Sequence, residues 1–273
     1  MSREIYGVLI GAVTITAVLL PLPIFLLIVG LLSLFMAGEV SGHLGVKEIR
    51  PAAFFSPLFF YVDRSAGILY VFILGLALGY RRWDLDSAVR SVFLLTYTGF
   101  FPSYLIAIKE EGTRHLLIFL LTLWASDVAA YYVGRRWGRR SLFPKISPRK
   151  TVEGFLGGLL AGVLVFTALS DLSLFRAVIV SILFITAGVV GDYFKSFLKR
   201  HFGIKDFSSV LGGHGGFTDR FDYPPLLRPL YIYLAAVPTL IILLMSLLHK
   251  RGPADRVTGW IVSYLSKEQE TPC

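Results

Sequence analysis

The stretch from His115 to Lys150 reads HLLIFLLTLWASDVAAYYVGRRWGRRSLFPKISPRK, and its two halves decide the fold. Residues 115–134 form an apolar run interrupted by one acid, Asp127, and the run is as long as a helix needs to cross a bilayer, about 20 residues. Residues 135–150 then hold Arg135, Arg136, Arg139, Arg140, Lys145, Arg149 and Lys150, seven positive charges in sixteen positions with no acid. A short loop of that kind next to an apolar run is held on the cytoplasmic side. The pair therefore predicts a membrane span that ends in a cytoplasmic basic loop.

Outward from that stretch the alternation repeats. Apolar runs fall near residues 5–20, 22–38, 52–62, 66–80, 88–108, 115–134, 153–170, 174–194 and 226–248. They predict an all-α polytopic integral membrane protein with about nine transmembrane helices, or eight if the short run at 52–62 does not cross. Composition agrees: 55% of the 273 residues are hydrophobic and 16% charged, where soluble domains carry about 25% charged residues. The mean hydropathy is +0.68. The first run is longer than a signal-peptide core and has no small-residue cleavage site, which reads as a retained anchor. A single cysteine, Cys273, excludes an intrachain disulfide framework and a cysteine metal cage.

Three regions follow: N-terminal transmembrane helices over 1–110, a catalytic transmembrane region with cytoplasmic basic loops over 111–250, and an interfacial tail over 251–273. In the tail, Trp260, Ile261, Val262, Tyr264 and Leu265 stand among Arg256, Lys267 and Glu268, an amphipathic pattern suited to the membrane surface. A second basic loop at 195–225 holds Lys195, Lys199, Arg200, Lys205 and Arg220, two spans after the first, so both belong on one side. A crossing at 226–248 would send Lys250, Arg251 and Arg256 to the other side, against the charge rule, and the side of the tail stays open. The formal net charge of +9 suits anionic lipid headgroups and phosphorylated substrates; with the charge concentrated in juxtamembrane loops, nucleic acid is not an expected partner.

The chemistry gathers behind the span that ends near Gly191. Lys199, Arg200 and Lys205 lead into Gly212, Gly213, His214, Gly215, Gly216, Phe217, Thr218, Asp219, Arg220, Phe221 and Asp222. Glycines around His214 permit close backbone approach and N–H groups directed at phosphate. Asp219 and Asp222, three apart, share a face on a helix and suit Mg²⁺, which takes one or two carboxylates with substrate phosphates. Basic residues alone would fit a loop attracted to anionic lipid; the acids and glycines shift the balance to a polyphosphate site. Asp127 inside its span costs at least about 2.5 kcal/mol when ionised, so it should face a partner or a wet cavity, with Tyr131 and Gly134 on the same helical face. A structural hydrogen bond between helices is the plainer alternative. Thr151 is a candidate N-cap beside Lys150, and Gly154, Gly157 and Gly158 read as close-packing positions.

The series Ser196-x-Leu198-Lys199-Arg200, four residues, Lys205-Asp206, then Leu211-Gly212-x-His214-Gly215-Gly216-x-x-Asp219-Arg220-x-Asp222 resembles the signature of the phosphatidate cytidylyltransferases, or CDP-diacylglycerol synthases. Upstream, Asp127 with Ala130, Tyr131 and Gly134, and Ser147-Pro148-x-Lys150-Thr151-x-Glu153-Gly154, are similar to the family's other motifs, so the resemblance covers roughly 124–222. It departs at Tyr223 and Pro224, where a small residue is expected, and at Lys195, a position often acidic in bacterial relatives.

The resemblance implies a homodimeric multi-pass protein of the inner (cytoplasmic) membrane. Its partners would be the bilayer, CTP and phosphatidic acid, its cofactor Mg²⁺, with a second metal ion as a further expectation. Asp219, Asp222, Lys199 and Arg200 are the implied catalytic residues, and Asp219, Asp222, Asp192 and Asp127 the implied metal ligands. Lys150, Ser147, Lys205, His214, Gly215, Gly216 and Arg220 are the implied substrate-binding residues. A transporter would explain Asp127 but not the cluster from His214 to Asp222. A CDP-alcohol phosphotransferase would need Asp-x-x-Asp-Gly followed by Ala-Arg and a later Gly-x-x-x-Asp-x-x-x-Asp, which this sequence lacks.

Overall fold

The computed structural model describes residues 3–208 together with Gly216 and Thr218, with side chains from Leu9 onward. Helices dominate: α1 (Arg3–Leu19), α2 (Leu22–Leu44), α3 (Ala52–Val62), α4 (Arg64–Arg82), α5 (Leu85–Leu95), α6 (Phe101–Glu111), α7 (Thr113–Trp137), α8 (Val152–Leu169) and α9 (Leu174–His201). The exception lies in the basic loop, where β1 (Ser141–Phe143) and β2 (Ser147–Thr151) pair antiparallel.

Local chemistry sets the boundaries. Pro21 and Pro23 divide α1 from α2, and Lys109 Nζ donates to the carbonyls of Val18 and Leu20 that α1 leaves unpaired at its end. Asp63, Asp84 and Thr151 cap α4, α5 and α8 by accepting from Ala66 N, Ser87 N and Gly154 N at 3.0, 2.9 and 3.1 Å. Two hydrogen bonds from Ser87, through its hydroxyl and its N–H, hold the Asp84 carboxyl below its ordinary range. Between α5 and α6 the helix widens into one π turn at Thr96–Phe100. Pro102 has no N–H to return to Thr98, so the regular ladder cannot run through. Leu85–Glu111 is nevertheless one continuous span of 27 residues.

Five helical segments are long and apolar enough to cross a membrane among the described residues: Leu22–Leu44, Leu85–Glu111, Thr113–Trp137, Val152–Leu169 and Leu174–His201. The sequence predicts about nine spans, and four of those are not shown here. The α3 helix has 11 residues, too few for the roughly 30 Å hydrocarbon layer. The described apolar part of α1, Leu9–Leu19, is also short, and α4 ends in Arg81 and Arg82. The run at 226–248 and the tail at 251–273 lie outside the described residues.

The basic loop and the segment after α9 share one end of the bundle: Lys150 pairs with Asp192, and Arg200 Nε donates to Ile146 O at 3.4 Å. At that end Arg82 returns α4 to the tip of α2, donating to Gly45 O at 3.0 Å and pairing with Glu48 at 2.5 Å. Elsewhere, Arg114 at the start of α7 pairs with Asp171 between α8 and α9 at 2.5 Å.

Helix α8 shows what kind of bundle this is. Gly154, Gly158 and Gly162 are buried, whereas Leu156, Leu160 and Leu164, two residues on in each case, are 55%, 63% and 62% exposed. Leucines outward and glycines inward is the arrangement of helices packed in hydrocarbon, where small residues let backbones approach. An added Cβ at Gly158 would lie 2.7 Å from Ser126 O and 2.9 Å from Ala130 Cβ on α7. Gly158→Val is expected to destabilise the protein by about 1–3 kcal/mol, lowering the unfolding temperature in detergent by several degrees, while Leu160→Val on the outward face leaves it nearly unchanged.

Candidate active site

Asp192 lies on the last third of α9, three residues before Lys195. Its Oδ1 receives Lys195 Nζ at 3.0 Å and its Oδ2 receives Lys150 Nζ from β2. Lys195 is 8% exposed, and a buried ammonium requires such a partner. Thr151 caps α8 directly after Lys150, while Glu153 Oε2 accepts from the N–H groups of Arg139 and Arg140 at 3.0 and 3.3 Å. The motif around Lys150 thus folds the basic loop over the end of the bundle and delivers one lysine inward.

These groups line a cavity of about 910 Å³ bounded mainly by α1, α2, α7 and α9. Lys150, Lys195, Asp192 and Asp127 are its charged groups, and the remaining wall is largely apolar, from Ile10, Val13, Phe25, Ile28, Leu120 and Trp124 among others. Asp127 is exposed to this space. Tyr131 and Gly134, one and two turns further along α7, do not line it: the Tyr131 hydroxyl accepts from Arg135 at 3.3 Å, and Gly134 abuts Thr151 and Gly154. A full turn of helix between Asp127 and Tyr131 carries the tyrosine beyond the cavity.

Of the other residues implied by the sequence, Ser147 lies half-buried on β2, and Lys199 and Arg200 occupy the last turn of α9. Gly203, at φ +68°, closes that helix: Gly203 N donates to Arg200 O and Ile204 N to Lys199 O. Lys205 follows on the surface. Gly216 is buried against Glu39 of α2. His214, Gly215, Arg220, Asp219 and Asp222 lie outside the described residues.

The donor chemistry for Mg²⁺ fits in part of this site. Asp127 and Asp192 both line the cavity, and one or two carboxylates with phosphate oxygens are what Mg²⁺ takes. No group of three or more His, Cys, Asp or Glu gathers among the described residues, so phosphates or further acids must complete the shell.

A model of the cytidylyltransferase family matches residues 1–237. The chain is 49% identical over 226 residues to the phosphatidate cytidylyltransferase of Aquifex aeolicus, covering 81% of this chain and 86% of that one. It belongs to the phosphatidate cytidylyltransferase family. Phosphatidate cytidylyltransferases of Staphylococcus saprophyticus and Staphylococcus haemolyticus are 37% and 36% identical over 154 residues, 55% of this chain and 59% of theirs. The family match begins at residue 1, although the sequence resemblance was confined to roughly 124–222.

Within this cytidylyltransferase, sequence reasoning passed over Glu39, whose carboxylate meets the segment at Ser208, Gly216 and Thr218. The signal was available: an acid inside an apolar helix, the same argument that singled out Asp127. Lys195, read from sequence as a loop cation and a departure from the family pattern, faces the cavity. Asp192→Asn would leave Lys195 buried against a neutral amide; because Asp192 is itself about a third exposed, the expected loss is about 1–2 kcal/mol. Adding Lys195→Met should return part of it, as measured by denaturation of the single and double variants.

Proposed function

We propose that the cavity receives phosphatidic acid with its phosphate at Lys150, Lys195, Asp127 and Asp192 and its acyl chains along the apolar wall, while CTP binds beside Lys199, Arg200, Lys205 and the segment from His214 to Asp222. The chain is a phosphatidate cytidylyltransferase, a nucleotidyltransferase of phospholipid synthesis that forms CDP-diacylglycerol. The observation that carries the placement is the cavity itself, apolar along most of its wall and ionic at one part, the shape and polarity of an amphiphile.

A phosphate oxygen of the lipid attacks the α-phosphorus of CTP, a new P–O bond forms, and the bond from that phosphorus to the oxygen bridging to the β-phosphate breaks. The electron pair leaves with pyrophosphate. The nucleophile is already anionic, so no strong base is required; the difficulty is bringing two anions together. Lys150 and Lys195 offset the lipid's charge, and Ser147 and Arg220 are further substrate-binding donors. Lys199, Arg200 and Lys205 offset that of the triphosphate, and His214, Gly215 and Gly216 shape its pocket. Aligning both reactants is the larger part of such catalysis. Asp219, Asp222, Asp192 and Asp127 would hold Mg²⁺, with a second metal ion as a further expectation, and the metal would supply charge neutralisation for the transferred cytidylyl group. The assembly is a homodimer in the inner membrane with the nucleotide side toward the cytoplasm; the seven cations of residues 135–150 support that orientation.

Purified protein given CTP and phosphatidic acid should release pyrophosphate and form CDP-diacylglycerol with Mg²⁺ and not after chelation. Asp219→Ala and Asp222→Ala should each lower turnover by about 10²-fold or more with folding intact; near-normal turnover in either removes that residue from the site. For sidedness, Cys273 is replaced and single cysteines are set at the exposed positions Lys145 and Asp206. Both should resist an impermeant thiol reagent in intact cells and react after permeabilisation. Labelling from outside would overturn the cytoplasmic assignment.

A further inference from the structure

Glu39 stands near the end of α2, a 23-residue helix, and both of its carboxylate oxygens are taken up by a segment about 170 residues later in the chain. Ser208 Oγ donates to Oε1 at 2.6 Å, and the Thr218 N–H donates to Oε2 at 2.7 Å. Thr218 is fully buried, and its hydroxyl donates to Met36 O, one turn earlier on α2, at 3.5 Å. A Cβ at Gly216 would come within 2.2 Å of Glu39 Oε1 and 2.5 Å of Ser208 Oγ, so a larger residue would have to displace this pair. His43, one turn further along α2, stacks on Phe202 at 5.2 Å and meets Phe207 edge-on at 6.4 Å. The end of α2 is therefore a seat for the chain that leaves α9.

That segment needs a seat. Gly212, Gly213, Gly215 and Gly216 fall between Ser208 and Thr218, and glycine loses more conformational freedom on being fixed than any other residue. A carboxylate gripping the segment at both ends, through hydrogen bonds to an ionised acceptor, is the strongest local way to offset that loss. Thr218 immediately precedes Asp219. We infer that Glu39 is a positioning residue for nucleotidyl transfer: it fastens Ser208 and Thr218 to α2, and Thr218 is the chain neighbour of Asp219. The inference rests on the proposed role of Asp219. It also gives Gly216 a reason to be glycine that does not involve contact with a nucleotide.

The clamp needs two acceptors on one side chain. A carboxylate supplies them, whereas a glutamine of the same shape offers one oxygen and one NH₂, and the NH₂ would confront a donor. Glu39→Gln is therefore the informative change, with Ser208→Ala as a milder variant that removes one arm and keeps the helix intact. Wild-type turnover with CTP and phosphatidic acid is measured first; if the wild type makes no CDP-diacylglycerol, the proposed reaction is wrong and the clamp is not at issue.

Given an active wild type, Glu39→Gln should lower kcat by about tenfold or more and raise KM for CTP. KM for phosphatidic acid and the unfolding temperature should stay near wild type. Ser208→Ala should move the same parameters less. Without substrates, trypsin should cut the 205–220 segment faster in Glu39→Gln than in wild type, as read by mass spectrometry. Wild-type kinetics and wild-type cleavage in Glu39→Gln would overturn the inference. So would a fall in unfolding temperature that tracks kcat in both variants, with both KM values moving together. Should Glu39→Gln fail to fold, Ser208→Ala decides by the same readouts.

Discussion

A carboxylate shared between two lysines holds the working end of this bundle together. Asp192 on α9 takes Lys195 from its own helix and Lys150 from the β-ribbon, and the buried Lys195 needs such a partner. Because Lys150 and Thr151 are adjacent, the residue that anchors the ribbon to α9 stands next to the residue that caps α8. The ion cluster, the start of α8 and the fold of the basic loop are therefore one construction. The cavity inherits its polarity from this construction, since its lysines and one of its two acids belong to it.

Close helix approach makes that placement possible. Gly154 and Gly158 bring α8 against α7 so closely that a methyl group at either would meet a backbone oxygen of α7 at 2.7 Å, and one at Gly162 would meet Ile185 of α9 at 2.4 Å. With no hydrophobic drive between helices in lipid, such contact is a main source of cohesion. It leaves α8 presenting leucines outward and holds its N-terminus beside Lys150. On the other side, α1 and α2 with α9 form the apolar wall, so apolar and charged surfaces meet within one space.

The segment after α9 completes the picture from another direction. Gly203 turns the chain back from the helix end, aromatic contacts with His43 bring it to α2, and Glu39 receives it. Helix α2 thus serves two ends: its earlier residues, Phe25 to Phe35, line the cavity, and Glu39 near its end holds Ser208 and Thr218.

The sequence by itself determined the class and the chemistry. Apolar runs between basic loops require a helical membrane protein because hydrocarbon leaves backbone groups no partners but each other, and the spacing from Ser196 to Asp222 marks the family. Thr151 as a cap was legible because it depends on a neighbour three residues away, the packing glycines because they are small residues repeated along one helix, and Asp127 because it is a lone acid in an apolar run. Tertiary structure alone decided that Asp192 lies between Lys150 and Lys195, that Lys195 belongs to the cavity, and that Glu39 receives Gly216 and Thr218. Those facts depend on which helices meet, at separations from 42 to 179 residues for the ion pair and the clamp. A pattern of period 3.6 records which face of a helix is apolar, not which partner that face will find.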